Sequence, residues 1–286
     1  MDFTLWYINN AINDISNTWV LKKTYRALKD KIFPEDNVLP STCREARQLL
    51  VKLGIEYKQI HACKNDCILY RDEYKDNEEC PVCKEKRYRT DVQGSTVPNK
   101  FLRHMPIIPR LQGMFRCKSL AQLMDWHAKN RSKDGFMRIP MDSKAMKHIE
   151  EKWPRKFKDE PRSIRLGLAM DGVCPFSFLS SNYSVWPVGL IVYNIPPWMS
   201  VRKEHLMLTL IVPGKHQVKK MDVYIAPFVD EMQLLWKGIR MYDISRPPSN
   251  RSFMFYGILC WTIHDFPGLG VCSGKRSNNL HIRSTS

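Results

Sequence analysis

The sequence predicts an α/β protein in which helices pack on a mixed β-sheet. Large apolar residues alternate with small or polar ones from 164 to 171, which is the period of a strand with one large apolar face. Two further β-rich segments follow at 185–194 and 205–214. After a helical segment at 221–239, an apolar run at 252–265 is typical of a strand that is covered on both faces. Three strands, a helix and a buried strand in this order predict the α/β class.

The helix between these strands is recognised by its apolar stripe. The residues that share this helical face are Phe228, Met232, Leu235, Trp236 and Ile239. Helical patterns also occur in residues 1–37, 41–54 and 117–130, and the residues at 90–100 have the composition of a polar linker.

The composition favours a polyanionic partner. The 286 residues include 45 lysines and arginines against 29 aspartates and glutamates, a formal net charge of +16. A surplus of this size attracts nucleic acid because neutralised phosphates release counterions, although a merely basic soluble protein is the alternative. The start of the chain does not resemble a secretory signal, and no apolar stretch reaches the roughly 18 residues that a membrane helix needs. We therefore expect a soluble, intracellular protein with no membrane partner.

Four of the nine cysteines lie close together. Cys63 and Cys67 form one short-spaced pair, and Cys80 and Cys83 form another after a loop of 12 residues. Such pairs suit tetrahedral zinc, because each forms a tight turn that supplies two thiolates. His61 could replace a ligand, but four cysteines already complete a closed site. We expect structural zinc here.

A basic segment follows the cysteines directly. Its four cations, with one aromatic residue among them, are Lys84, Lys86, Arg87 and Arg89. Such a segment is consistent with contacts to the phosphate backbone of a nucleic acid. A solvated loop is an equally good interpretation of the same residues.

Two predicted strands each end on an aspartate. Asp171 follows the strand at 164–170, and Asp265 follows the last apolar run. Neighbouring strands lie about 4.8 Å apart, so the two carboxylates could converge on a cation such as Mg²⁺. Two-metal sites of this kind stabilise the attacking and leaving oxygens in phosphodiester cleavage. Spacing alone favours the alternative, in which each aspartate only caps a strand or turn.

The sequence as a whole resembles the transposases of plant CACTA (En/Spm-like) DNA transposons. Matching blocks stand in order over roughly residues 30–272, among them "MDWHAKNRSKDG", "RSIRLGLAMDGVCPF", "YSVWPVGLIVYNIPPWM" and "LCWTIHDFPG". The resemblance implies a ribonuclease-H-like mixed sheet with flanking helices, preceded by a small helical, zinc-ribbon-like module. It also implies cut-and-paste DNA transposition in the nucleus, in which two aspartates and a third acidic residue hold magnesium or manganese. Carried over, the two aspartates are Asp171 and Asp265, the four cysteines match the family's cluster, and the partner is DNA at the transposon ends.

The chain departs from the family pattern near the second aspartate. His264 stands where the family usually has asparagine, and no Asp or Glu follows Asp265. The family's third acidic residue, expected on a following helix, therefore has no counterpart, and two carboxylates alone would not fix two ions for in-line displacement. We interpret the sequence as a C-terminally truncated member with an incomplete sheet. An oligomer or a full-length transposase partner could supply the acid.

The expected organisation has five parts. They are an N-terminal helical segment at 1–60, a four-cysteine zinc module at 61–90, a linker and helical region at 91–160, a partial catalytic domain at 161–274 and a divergent tail at 275–286. Three functions stay open: a catalytically incomplete transposase derivative, a zinc-stabilised protein that binds DNA without cutting it, and a non-functional transposon remnant.

Overall fold

The computed structural model describes residues 57–173, 184–202, 205–214, 218 and 220–264. The chain divides into two compact units, Met1–Glu56 and Tyr57–Ser286, and all described residues belong to the second. The helices expected at 1–37 and 41–54, and Asp265, lie outside the described residues.

The described residues form a mixed α/β structure. The strands are β1 (Lys58–Ala62), β2 (Tyr88–Thr90), β3 (Thr96–Pro98), β4 (Lys100–His104), β5 (Ile164–Met170), β6 (Ser184–Val192), β7 (Met207–Gly214), β8 (Ile239–Tyr242), β9 (Ser252–Phe255) and β10 (Gly257–Ile263). The α-helices are Ile107–Arg116, Lys118–Ala121, Trp126–Lys129, Lys144–Lys152, Pro154–Phe157, Pro197–Ser200 and Met221–Lys237, and the 3₁₀ turns are Asp72–Tyr74, Pro140–Asp142 and Pro248–Asn250. None of these helices combines the length and the apolarity that crossing a membrane requires.

Six strands form one mixed sheet, in the order β1-β4-β7-β6-β5-β10. β5, β6 and β7 are consecutive antiparallel neighbours, with Leu168 opposite Leu190 and Val188 opposite Leu210. β10 returns beside β5 and runs parallel to it. These two strands therefore end at the same edge of the sheet.

The main hydrophobic core lies between the sheet and two helices. One is the long helix, Met221–Lys237, and the other is Ile107–Arg116. The four large apolar side chains of β5 all belong to this core, as the alternation in the sequence predicts; they are Ile164, Leu166, Leu168 and Met170.

A smaller core covers the opposite face of β5. Its buried residues are Ile139, Met141 and Met146, and Trp261 packs against them. Trp261 is also paired with Gly167 of β5. This second layer therefore lies over the side of β5 that carries Gly167 and Ala169, the side to which Asp171 belongs by strand alternation.

The segment predicted to be a polar linker contains a β-hairpin instead. β2 pairs antiparallel with β3, and the turn between them has Gly94 at a φ of 80°. The Asp91 carboxylate accepts hydrogen bonds from the backbone amides of Gln93 (2.9 Å) and Ser95 (2.7 Å). Asp and Gly at these positions are turn-forming residues, so the polar composition concealed a hairpin signal.

The helical stretch predicted at 117–130 consists of two short helices, Lys118–Ala121 and Trp126–Lys129. A distant side chain holds the turn between them, because the Asn194 amide donates to the carbonyl of Met124 (3.0 Å). Arg162 also contacts the Asp125 carboxylate (3.4 Å) in this turn. Tertiary hydrogen bonds thus interrupt a segment whose local pattern is helical.

The apolar run at 252–265 is not one strand covered on both faces. Tyr256 separates β9, which pairs with β8 in a hairpin, from β10. β10 lies at an edge of the main sheet, and its last residues, Thr262 and Ile263, are exposed. Continuous hydrophobicity here reflects two strands that pack on different partners.

The long helix also ends earlier than its apolar stripe suggests. Gly238 has a φ of 97°, a left-handed conformation that glycine adopts readily and that ends the helix after Lys237. Ile239, predicted to be part of the helix, is therefore the first residue of β8.

Candidate functional site

The four clustered cysteines come together beside β1, an edge strand of the sheet. Cys63 follows β1 directly, and its sulfur lies 3.4 Å from that of Cys83. The sulfur atoms of Cys63, Cys67, Cys80 and Cys83 all lie within 4.8 Å of one another. In a tetrahedral site, Zn–S bonds of about 2.3 Å place the sulfur atoms about 3.8 Å apart. The cluster therefore has the donors and the spacing to hold a metal ion such as zinc.

Two tight turns shape the cysteine pairs. The backbone amide of Asn65 donates to the Cys63 sulfur (3.4 Å), and its side-chain amide donates to the Cys83 sulfur (3.6 Å). Asp66 and Lys84 have φ values of 61° and 62°, so each turn uses a left-handed residue that is not glycine. Such conformations persist where the surrounding structure determines them strongly. The backbone therefore forms two turns that direct the four sulfur atoms toward one another.

Burial and hydrogen bonding act on the thiols in opposite directions. Burial raises the pKa of the Cys63 thiol to about 12 and also raises the pKa of Cys67. A hydrogen bond from the Glu85 backbone amide lowers the pKa of Cys83 to about 6. Cys83 therefore ionises more readily than Cys63, and a bound cation would favour the thiolate form of each ligand.

His61 is engaged by Arg87 and not by the cysteines. The Arg87 Nε donates to His61 Nδ1 (3.0 Å), and burial together with the Arg87 charge lowers the pKa of His61. Arg87 also donates to the backbone carbonyls of Lys75 (2.6 Å) and Asn77 (3.1 Å). Arg87 therefore contributes to the fold of the cysteine module (residues 61–90).

The other cations of the basic segment, Lys84, Lys86 and Arg89, are exposed. The cysteine module that carries them contains seven basic and seven acidic residues. Its net charge is therefore zero with histidine neutral, which weakens its attraction for a nucleic acid.

Asp66 connects the cysteine module to the main core. This buried carboxylate forms an ion pair with Lys100 of β4 and accepts a hydrogen bond from the Tyr224 hydroxyl on the long helix. Burial and the Asp66 charge raise the pKa of Tyr224, so its hydroxyl stays protonated as a donor. The turn between the first two cysteines is thereby fixed to both the sheet and the helix.

Asp171 lies at the carboxyl end of β5, the strand next to the edge strand β10. It follows Met170, the last residue of β5, and is exposed. On β10, which runs parallel beside β5, Ile263 stands opposite Ala169. The second predicted carboxylate, Asp265, lies outside the described residues. The structure therefore brings the two predicted strands side by side and in the same direction.

The sheet face that carries Gly167 and Ala169 becomes more exposed to solvent toward Asp171. At Gly167 it is closed, since a Cβ there would lie 2.5 Å from the Tyr193 hydroxyl. The Tyr193 ring packs edge-to-face on Trp261, with centroids 5.2 Å apart, and fills this space. Two residues further on, Ala169 is half-buried and its neighbour Ile263 is 46% exposed. Among the described residues, exposure to solvent thus increases along this face from Gly167 to Asp171.

Two buried charge networks escape sequence analysis. The fully buried Arg165 of β5 donates to the Glu150 carboxylate (3.1 Å). Glu231 of the long helix accepts a hydrogen bond from the backbone amide of Ile107 (2.9 Å) and lies 3.0 Å from His104 Nε2. Arg165 is the one charged residue of β5, which is a weak sequence signal, whereas Glu231 is one of several charged residues in its helix and gives no signal.

A protein-family model matches part of the chain. The model of the family described as transposase family tnp2 matches residues 134–283, just over half of the chain. The matched segment contains Asp171 and Asp265, together with β5 to β10, and does not include the cysteine cluster. No curated protein matches the sequence.

Proposed function

Because the chain belongs to the transposase family tnp2, we propose that it is a transposase-derived protein of cut-and-paste DNA transposition, similar to the CACTA transposases, and that its catalytic site is incomplete because two carboxylates alone do not fix two ions. Its substrate is then DNA at the transposon ends, its chemistry is phosphodiester cleavage and strand transfer, and its compartment is the nucleus. The parallel pairing of β5 with β10 carries this proposal, because it supports a shared carboxylate site.

We assign the sheet to a ribonuclease-H-like arrangement. The strand order β7-β6-β5-β10 supports this assignment: three antiparallel strands precede the long helix, and β10 then lies parallel to the first of them. In this arrangement the ends of β5 and β10 are neighbours, at a strand separation of about 4.8 Å.

Asp171 and Asp265 are the proposed carboxylates of the catalytic site. Support comes from the exposure of Asp171 and from the register, in which Ala169 and Ile263 each precede one of these aspartates by two residues. Carboxylate oxygens are hard ligands, so the fitting cation is magnesium or manganese. When bound, it would stabilise negative charge on a phosphate oxygen during cleavage. The role of Asp171 is to hold that cation at the open end of the face.

The four cysteines are proposed to hold structural zinc. All four ligand positions are filled by sulfur, so no coordination position is left for a substrate. The bonds from Asp66 to Lys100 and Tyr224 support a structural role, since they connect the cluster to the sheet and to the long helix.

A zinc-stabilised protein that binds DNA without cutting it is the second candidate. The cysteine cluster and the net charge of +16 favour it, because neither depends on the carboxylates. The two functions share DNA binding and differ in their dependence on Asp171.

A plasmid-nicking assay with Mg²⁺ or Mn²⁺ separates these candidates. We expect weak cation-dependent nicking at most, since two carboxylates alone would not fix two ions, and any such nicking should be lost in Asp171→Asn. Nicking should persist in Asp159→Asn, which changes another exposed aspartate. DNA binding without nicking in the wild type would support the second candidate, and equal nicking by Asp171→Asn would contradict the role of Asp171.

A further inference from the structure

The positive charge of this protein is concentrated in one part of the chain. Residues 100–165 contain 17 basic and seven acidic residues, whereas the cysteine module is electrically balanced. We propose that exposed cations on the helix Lys144–Lys152 and the turn after it bind the phosphate backbone of duplex DNA. The proposal rests on the proposed function, because it names the surface that holds the DNA.

Four exposed cations define this basic strip; they are Lys144, Lys147, Lys152 and Arg155. Lys144 and Lys147 are three residues apart and share a face of the helix, and the exposure of all three lysines places them on its solvent side. Its other side packs Met146 and Ile149 into the smaller core. The helix therefore presents its cations outward from a fixed position.

Two acidic residues near the strip, Glu150 and Asp142, bond to residues outside it. Glu150 pairs with Arg131 (2.6 Å) and with Arg165 (3.1 Å). Asp142 is buried and accepts a hydrogen bond from the backbone amide of Ser132 (3.0 Å). Glu151 on the helix and Asp159, four residues after Arg155, are exposed acids near the strip. Among the ion pairs that join described residues, none involves a cation of the strip.

Two of these cations occupy positions that a helix disfavours. Lys144 is the first residue of the helix and Lys147 lies in its first turn, where there is no acidic residue. The helix macrodipole is positive at this end, so a cation there lowers helix stability. Helix stability does not explain their placement, whereas phosphate groups beside the helix would.

The basic strip also lies on the side of the sheet that carries Gly167 and Ala169, to which Asp171 belongs by strand alternation. Met146 and Ile149 share the smaller core with Trp261, and Trp261 is paired with Gly167 of β5. Duplex DNA that binds the strip is therefore on the same side of the sheet as Asp171.

Fluorescence anisotropy with a labelled DNA duplex tests this proposal over a range of KCl concentrations. The test variant is the triple Lys144→Gln, Lys147→Gln and Arg155→Gln. The matched control is Lys84→Gln, Lys86→Gln and Arg89→Gln, which removes three exposed charges from the cysteine module.

We expect the test triple to weaken binding about tenfold at 150 mM KCl and to reduce the salt slope by about 3, since each lost phosphate contact removes about one unit of slope. The control triple should stay within about twofold of wild type. The Tm of the test triple should equal or exceed that of wild type, because two of the substitutions remove positive charges from the start of a helix. A fall in affinity without a fall in Tm distinguishes lost contacts from lost folding.

Two results would overturn the proposal: wild-type affinity in the test triple, or an equal loss in both triples. Either result, with salt-dependent binding by the wild-type protein, would leave the proposed function intact. Absence of wild-type binding at low salt would contradict both.

Discussion

Ala169 of β5 and Ile263 of β10 are paired across two parallel strands, and each lies two residues before an aspartate in the sequence. Parallel strands run at the same rise per residue, so equal steps from a paired position stay level. The proposal that these two aspartates share one cation rests on this register. The proposed catalytic site thus depends on the pairing of two strands and not on a local motif.

Replacing Gly167 should disturb the packing of Tyr193 against β5. In Gly167→Ala the new Cβ would meet the Tyr193 ring, which is held by Trp261, and we expect overpacking to lower the free energy of unfolding by about 1–3 kcal/mol. Chemical denaturation measures the change. Gly189→Ala is the matched control on β6, because its Cβ would meet only the Ala169 carbonyl oxygen, at 3.9 Å. Equal losses in both variants would contradict this view of the Tyr193 position.

Loss of one cysteine should remove the metal and much of the stability. Cys80 is fully buried within the cluster, so we expect Cys80→Ser to reduce zinc from about one ion per chain to near zero and to lower the Tm. Elemental analysis and thermal unfolding measure both quantities. Cys117→Ser, at an exposed cysteine outside the cluster, should leave both unchanged. Full zinc content in Cys80→Ser would exclude it as a ligand.

Removing the charge of Asp66 should be more costly than removing an exposed one. Asp66→Asn leaves the Lys100 side chain, which is 14% exposed, without its carboxylate, and breaking such a largely buried pair costs about 3–5 kcal/mol of unfolding free energy. Asn tolerates the left-handed φ at this position, so the backbone contributes little to the change. Asp72→Asn is the control: it removes an ion pair with Arg71 whose carboxylate is largely exposed, and should cost below about 1 kcal/mol. Similar costs would show that Asp66 does not anchor the module.

The buried His127 should make stability depend on pH. Burial and the nearby Arg165 lower the pKa of His127 to about 3. An unfolded histidine titrates near 6.5, so between these values the unfolded chain binds a proton that the folded chain does not. Stability should therefore fall as the pH decreases below about 6.5, by at most about 1.4 kcal/mol per pH unit from this group.

Thermal unfolding of His127→Gln between pH 7 and pH 5 tests this dependence. The variant should show a shallower pH dependence than wild type. His148→Gln changes an exposed histidine and should keep the wild-type slope. An unchanged slope in His127→Gln would refute the assignment.

Local periodicity predicts much of the fold. β5, β6, β7 and the long helix appear near their predicted positions, since alternation and helical stripes need only neighbouring residues. The cysteine cluster is predictable for the same reason, because each pair forms one turn. Its closeness in space confirms the spacing argument.

Features that depend on distant partners are not predictable in this way. Asn194, two residues after β6, interrupts the predicted helix at 117–130 by its bond to Met124. Asp66 anchors the cysteine module through its contacts with Lys100 and Tyr224. The charge of the helix Lys144–Lys152 is visible in the sequence. Only packing shows that Met146 faces inward and leaves the lysines outside.

The position of Asp66 between Cys63 and Cys67 affects how the proposed catalytic cation should be studied. EDTA is the usual reagent for showing that strand cleavage requires Mg²⁺, but it would also strip a thiolate-bound ion. The turn that holds Asp66 in hydrogen-bonding distance of the Tyr224 hydroxyl would then loosen, and the long helix would lose this hydrogen bond. Loss of activity in EDTA would therefore not distinguish the removal of magnesium from the removal of zinc. Dialysis that depletes magnesium while zinc is kept in the buffer separates the two effects.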